Sequence, residues 1–196
     1  MLKTHGRYDY SAISRRPDYS WPGGKRLAVH IALNVEHFAF GEGLGNDYAV
    51  PHPAPNTRSF AWRDYGNRIG IWRLFELFDE LGIPAGHNVN SLVYDYAPQI
   101  MDEIRRRGDE IVGHGRTNAE NHRGMWEADE ERIIQEVVDK FVAHEGKAPT
   151  GWMGSGAYET AHTPDLLKEA GFKYLMDWPM DDQPIWMRTR SGPILS

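Results

Sequence analysis

The stretch GIWRLFELFDELGIPAGHNVN, residues 70–90, contains one complete helix-to-strand unit and decides the fold class. Its apolar residues follow the i, i+3, i+4, i+7 spacing of a helix with one buried face: Ile71, Leu74, Phe75 and Phe78. This spacing predicts a helix over 70–81, and Gly82 ends it because glycine readily adopts the left-handed conformation that closes a helix. The apolar run 83–90 has the length of a strand.

The same alternation continues on both sides of this unit. Apolar runs of strand length lie at 25–35, 83–90, 110–113, 150–153 and 173–178. Helical patterns lie between them at 70–81, 97–107, 128–144 and 163–170. Repeated strand-then-helix units predict an α/β fold with a parallel sheet and right-handed crossovers, either open or curled into a barrel.

The chain of 196 residues, 40% of them hydrophobic, predicts a single domain with one core. Residues 1–24 are rich in Tyr, Arg, Pro and Gly and are interpreted as an N-terminal arm, leaving 25–196 as the domain. Residues 36–64 contain many glycines and prolines and show no helical period. They predict a long loop that serves function or covers a ligand.

The overall charge and the cysteine content narrow the possible partners. The formal net charge is −6, with 28 acidic and 22 basic residues spread along the chain, so no basic face is available to bind nucleic acid. Without cysteine, any metal site must use histidine and carboxylate ligands. Because no stretch is apolar enough to act as a signal segment or to cross a membrane, we expect a cytoplasmic protein without a membrane partner.

Polar residues follow several of the predicted strands. In a parallel sheet the carboxyl ends of the strands share one edge, so we expect these residues to converge: Asn34, Glu36, His37, Asn88, Asn90, His114, Asp177 and Trp178. A carboxylate and an imidazole at such an edge suit general acid/base catalysis. His122 is expected at the surface or on the approach to a helix, without a role, and His30, within the first predicted strand, is expected in the core.

Each candidate also has a structural interpretation. Glu36 and His37 could be a solvated carboxylate and a packed histidine. His114, between two glycines, could project into the mouth of the sheet or make a backbone hydrogen bond in a turn. Asp177 could orient an imidazole or cap a turn, while Trp178 could form an apolar wall. Ser155 lacks the G-x-S-x-G setting of a nucleophile, and no dinucleotide or P-loop motif occurs.

Four short motifs in this order resemble the polysaccharide deacetylase, or NodB-homology, family: 33–36, 113–115, 151–152 and 177–178. The chain is most similar to the branch that contains the metal-independent allantoinases and related polysaccharide deacetylases. The resemblance implies a distorted (β/α) barrel and hydrolysis of non-peptide C–N bonds. It implies a catalytic group of Glu36, His114 and Asp177, and substrate contacts from Asn34, His37, Asn118, Trp152 and Trp178.

The motifs depart from those of metal-using family members. Asn34 and Glu36, or Glu36 and His37 if the motif is shifted by one residue, replace an acidic pair, and Asn118 stands where a second histidine is expected. Because an amide oxygen is a poor zinc ligand, we expect catalysis without a required cofactor. If a divalent metal such as zinc is bound, Glu36, His37 and His114 are the candidate ligands.

The resemblance also implies strands beyond residue 196, since a closed barrel needs about 250 residues. We therefore expect a C-terminally truncated barrel whose open edge favours a homo-oligomer. The predicted activity is hydrolysis of an amide, ureide or cyclic imide in a small-molecule substrate. The alternatives are a metal-dependent N-deacetylase of amino sugars and a non-catalytic binding domain or inactive fragment.

Overall fold

The computed structural model describes residues 3–41, 56–120 and 122–196. Its centre is a mostly parallel sheet of seven strands in the order β1-β2-β3-β4-β5-β7-β6. The strands are β1 (Ala32–Val35), β2 (Gly86–Val89), β3 (Glu110–Gly113), β4 (Gly151–Trp152), β5 (Tyr174–Leu175), β6 (Trp186–Met187) and β7 (Ile194–Leu195). Only β6 pairs antiparallel, against β7. The predicted α/β fold is confirmed.

Six α-helices connect and cover the strands in the described ranges. They are α1 (Thr57–Tyr65), α2 (Ile71–Leu81), α3 (Val93–Tyr96), α4 (Pro98–Arg107), α5 (Glu127–Glu145) and α6 (Thr163–Glu169). The helices α2 and α4 end where predicted, because Gly82 and Gly108 adopt φ values of 63° and 71° that close the helix. No helix of the described residues combines the length and apolar character needed to cross a membrane.

The hydrophobic core lies between the sheet and its helices. Helical side chains such as Phe75, Ile104 and Phe141 pack in one cluster with Val89 of β2 and Leu175 of β5, and all of them are almost fully buried. Burying a side chain of this size contributes about 1.5–3 kcal/mol. This packing holds the sheet rigid and places the loops at its carboxyl edge.

The first strand is shorter than predicted. It begins at Ala32 rather than at residue 25, and Leu27 and Val29 are 76% and 75% exposed. His30 is exposed as well, so the expected core position is wrong. The reason is that β1 is the edge strand of the described sheet and its ladder to β2 starts at Ala32, so Leu27 and Val29 lie before the paired part of the strand.

The predicted loop over 36–64 contains the helix α1. Asn56 caps this helix by accepting a hydrogen bond from the Ser59 backbone N–H at 2.9 Å. None of the residues of α1 is buried, so it lacks the apolar stripe by which helices are predicted from sequence. The glycines and prolines of the loop between positions 42 and 55 lie outside the described residues.

The N-terminal arm is anchored on the end of the sheet formed by β5 to β7. Arg7 forms an ion pair with Asp165 of α6 at 2.6 Å, and Arg16 forms one with Asp181 at 2.7 Å. Tyr8 packs edge-on against Trp178 with a ring separation of 6.1 Å. The arm therefore covers the side of the sheet that follows β5.

Candidate active site

Glu36 and His114 are brought into contact at the carboxyl edge of the sheet. Glu36 follows β1, His114 follows β3, and Glu36 Oε1 lies 3.2 Å from His114 Nε2. The side chain of His114 is 1% exposed, whereas that of Glu36 is 25% exposed. The pair therefore has a buried imidazole and a carboxylate that a ligand can reach.

The hydrogen bonds of His114 determine which of its ring nitrogens faces the site. Nδ1 contacts the backbone carbonyl oxygen of Met153, and because a carbonyl only accepts, Nδ1 carries a hydrogen. This leaves Nε2 facing Glu36. A hydrogen bond between an imidazole nitrogen and a carboxyl oxygen needs one proton between them, so Nε2 and the Glu36 carboxyl share a proton that can be transferred.

Two pairs of asparagines converge on Glu36. Asn88 donates to Asn34 Oδ1 at 2.8 Å, and Asn34 in turn donates to Glu36 Oε1 at 3.3 Å. Asn90 donates to Asn118 Oδ1 at 3.0 Å, and the Asn118 side chain donates to Glu36. Each outer asparagine holds the oxygen of its partner, so the partner's NH₂ group points at the carboxylate.

These donors keep Glu36 ionised. Burial alone would raise the pKa of its carboxyl group, but the hydrogen bond and charge of His114, the hydrogen bond from Asn118 and the charge of Arg63 outweigh it. The pKa of Glu36 is therefore lower than its ordinary value. A carboxylate that stays charged at neutral pH can accept a proton from water.

A cavity of about 240 Å³ opens beside Glu36. Asn34, Phe38, Arg63 and Asn67 are among its lining residues. Arg63 comes from α1, and its guanidinium lies 4.0 Å from the centre of the Phe38 ring. Sequence reasoning missed Arg63 because its helix was interpreted as a loop.

Of the two roles that the sequence left open for Asp177, its hydrogen bonds match the capping of a turn. Its two carboxyl oxygens accept the Gly154 backbone N–H at 2.8 and 3.0 Å, while the Met153 carbonyl occupies the orienting position at His114 Nδ1. Burial is the main cause that raises the pKa of Asp177. Asp177 therefore binds the backbone of the loop after β4, and it interacts with His114 through their charges.

The two tryptophans that were expected to contact the substrate differ in exposure: Trp152 is buried and Trp178 is partly exposed. Trp152 is 0% exposed and packs against Phe172 with a ring separation of 5.4 Å. Trp152 therefore exposes no surface to a ligand in this structure, and it belongs to the core. Trp178 is partly buried, and its Nε1 donates to Glu159 Oε2 at 2.5 Å.

His37 follows Glu36 in the chain and is held by Asn90, Thr117 and Tyr96. Its backbone N–H donates to Asn90 Oδ1 at 2.9 Å, and its Nδ1 lies 3.3 Å from Thr117 Oγ1. Its ring also packs edge-on against Tyr96. His37 thus borders the site.

The arrangement does not fit a metal ion. Across residues 3–41, 56–120 and 122–196, no three histidine, aspartate or glutamate side chains are grouped closely enough to hold a metal ion. The candidate ligands Glu36, His37 and His114 therefore do not form such a group. The amide oxygen of Asn118 already accepts a hydrogen bond from Asn90. Of the three candidate ligands, Glu36 and His114 contact each other, whereas the ring of His37 contacts Thr117 and Tyr96.

A second polar cluster, which the sequence did not predict, lies behind the first. His122 is 4% exposed, so it is not at the surface, but it does lie on the approach to α5, and its Nδ1 contacts Glu130 Oε1 at 3.0 Å. Glu130 is fully buried and accepts hydrogen bonds from Thr160 and Thr163. This cluster fixes the segment 155–163, which carries Glu159, to the first turn of α5.

Comparison with known proteins agrees with this architecture, although no family model matches the chain. The chain is 30% identical over 151 residues to the peptidoglycan deacetylase of Helicobacter pylori (strain ATCC 700392 / 26695), a match that covers 74% of this chain and 48% of that protein. The chain thus spans about half the length of this curated relative.

Two solved structures share the fold over 96% of this chain and 68% of their own. One is PuuE allantoinase, with a TM-score of 0.79 and 26% identity. The other is described as a probable polysaccharide deacetylase from Pseudomonas aeruginosa PAO1, with a TM-score of 0.76 and 26% identity. The fold and site define an α/β protein of the (β/α) barrel class. Within that class the chain is similar to polysaccharide deacetylases and to PuuE allantoinase.

Proposed function

We propose that this protein hydrolyses a C–N bond in a small amide, ureide or cyclic imide, using Glu36 and His114 as the acid/base pair. The observation that carries this proposal is the 3.2 Å contact between Glu36 Oε1 and His114 Nε2 beside an open cavity. The names of the similar proteins, deacetylases and an allantoinase, support the same bond class.

In the proposed reaction, the ionised Glu36 takes a proton from a water molecule in the cavity. The water oxygen bonds to the carbonyl carbon, and His114 Nε2 gives a proton to the leaving nitrogen as the C–N bond breaks. Arg63 and Asn34 lie on the wall of the cavity, where their donors can stabilise the negative charge that develops on the carbonyl oxygen. The proton taken by Glu36 then returns to His114 across the contact between them.

The structure favours a metal-independent route, because three donors surround Glu36 where a cation would otherwise bind. Both asparagines that contact Glu36 occupy the positions at which the motifs depart from those of metal-using deacetylases. Their amide hydrogens supply part of the positive field that a metal would supply. A small planar substrate fits the cavity volume of about 240 Å³ better than a polymer chain does.

The test is hydrolysis of two substrates by the purified protein in the presence of a chelator. Allantoin represents a cyclic ureide, and an N-acetylglucosamine oligomer represents the amide that a peptidoglycan deacetylase cleaves. We expect hydrolysis of the ureide, and we expect Glu36→Gln to reduce kcat/KM at least 100-fold, the lower end for a lost acid/base group. Glu131→Gln, the same change on an exposed face of α5, is the control and should retain full activity.

The relative from Helicobacter pylori makes an N-deacetylase of amino sugars the second candidate. Hydrolysis of the N-acetylglucosamine oligomer only after addition of Zn²⁺ would favour this candidate. An absence of hydrolysis with either substrate, with and without metal, would favour a non-catalytic binding domain.

A further inference from the structure

Two carboxyl groups lie next to each other behind His114. Asp177 follows β5 and is 9% exposed. Glu159 lies in the segment between β4 and α6, and its Oε2 accepts the indole N–H of Trp178, the residue next to Asp177 in the chain. Gly154 connects the two groups in space: its N–H donates to Asp177, and a Cβ on this glycine would lie 3.3 Å from Asp177 Oδ2 and 3.1 Å from the carbonyl oxygen of Tyr158, the residue before Glu159. Two neighbouring buried carboxyl groups cannot both be ionised without a large electrostatic cost.

We propose that Glu159 and Asp177 form a carboxyl pair that holds one proton at neutral pH, with Glu159 as the acid and Asp177 as the carboxylate. Glu159 is then a positioning residue, because it sets the charge behind His114 without reaching the cavity beside Glu36.

The hydrogen bonds around the pair determine which member holds the proton. Both oxygens of Asp177 accept the Gly154 backbone N–H, which favours its charged form. Glu159 Oε1 is buried, and no donor from the described part of the chain reaches it, which favours a protonated oxygen there. Burial, followed by the charge of Asp177, raises the pKa of Glu159 to about 9.

The charges of neighbouring groups also favour an ionised Asp177 and a protonated Glu159. His114, after β3, and His122, before α5, face Asp177, and their charges lower its pKa. Glu130 of α5 faces Glu159 and raises its pKa further. The pKa of Glu130 itself is lowered: burial would raise it, but the hydrogen bonds from His122, Thr160 and Thr163 outweigh that effect. A charge on Glu159 would therefore add to charges already present on Asp177 and Glu130.

A consequence for catalysis follows, and it rests on the proposed function. While Glu159 stays neutral, His114 experiences one carboxylate from the pair. When Glu159 loses its proton at alkaline pH, a second negative charge appears in the carboxyl pair and changes the electrostatic potential at the acid/base pair of Glu36 and His114. The rate should then fall along an alkaline limb that Glu159→Gln removes, since glutamine reproduces the neutral acid and can still accept the Trp178 N–H.

The test counts protons and does not depend on activity. Potentiometric difference titration of the folded protein between pH 7 and pH 10 should show the wild type releasing one more proton than Glu159→Gln, with a midpoint near 9. Glu131→Gln makes the same substitution on an exposed face of α5 and should leave this release in place. Equal proton release by the wild type and Glu159→Gln would overturn the proposal.

A second measurement needs no variant and covers the case in which Glu159→Gln does not fold. Infrared difference spectra of the wild-type protein between pH 7 and pH 10 should show the loss of a protonated carboxyl band. The absence of such a band at pH 7 would refute the shared proton. If the band and the proton release are found but no substrate is hydrolysed, the carboxyl pair stands and only the proposed function fails.

Discussion

Glu159→Gln should stabilise the fold at neutral pH, by an amount that follows from the position of this residue. The pKa of Glu159 is raised to about 9 from an ordinary value of 4.5, chiefly because the carboxyl group is buried. Each pKa unit between the ordinary value and the working pH corresponds to about 1.4 kcal/mol, so keeping this group protonated at pH 7 costs about 3 kcal/mol of folding free energy. Glutamine carries no such cost.

The raised pKa of Glu159 also fixes the direction in which the unfolding free energy changes with pH. A group whose pKa is higher in the folded state contributes stability that is fully present below its unfolded pKa and is lost as the pH rises through the folded pKa. The unfolding free energy of the wild type should therefore fall relative to Glu159→Gln between about pH 4.5 and pH 9, by about 1.4 kcal/mol per pH unit.

Urea denaturation followed by tryptophan fluorescence at pH 5, 6, 7 and 8 measures this difference. Glu131→Gln, on the exposed face of α5, controls for the change in net charge. A difference between the wild type and Glu159→Gln that stays constant across these pH values would refute the argument, because it would show that Glu159 titrates alike in the folded and unfolded chains.

Three further predictions test the site and its support. Asn118→Ala removes a hydrogen bond that lowers the pKa of Glu36, so the acid limb of the kcat/KM profile on the ureide should move to higher pH; an unmoved limb would show that Asn118 does not tune Glu36. Dialysis against a chelator should leave kcat on the ureide within about twofold, whereas a loss restored by Zn²⁺ would reveal a metal requirement. Asp109→Asn should lower the unfolding free energy by about 3–5 kcal/mol, because Arg107 and His87 are almost fully buried beside this carboxylate at 2.7 and 2.9 Å; a loss under 1 kcal/mol in urea denaturation would contradict it.

The prediction of a homo-oligomer remains untested. In the described part of the chain, β1 is an edge strand, and the exposed apolar residues Leu27 and Val29 precede it. Sedimentation of the wild type and of Leu27→Asp would show whether this edge mediates association.

The sequence predicted the fold class because the apolar residues recur at the spacings of helices and strands. The apolar spacing of α2 and the closing glycine at position 82 report which face is buried and where the helix ends, so the helix was predicted to within one residue at each end. Alternation with apolar strands then requires a parallel sheet, and a parallel sheet places Glu36 and His114 at one edge. The helix α1 was missed because an exposed helix without an apolar stripe carries no such period.

The partners of the site residues depend on distances that sequence spacing does not encode. The sequence could place Glu36, His114 and Asp177 at strand ends, but it could not show that a backbone carbonyl orients His114 or that Trp152 is buried. Glu159 is a loop glutamate in the sequence, and its position on Trp178, next to Asp177, depends on the hydrogen bonds that hold Thr160 and Thr163 to Glu130 of α5. Periodicity determines which faces are buried, whereas hydrogen bonds and pKa values depend on which buried groups tertiary packing brings within a few ångströms.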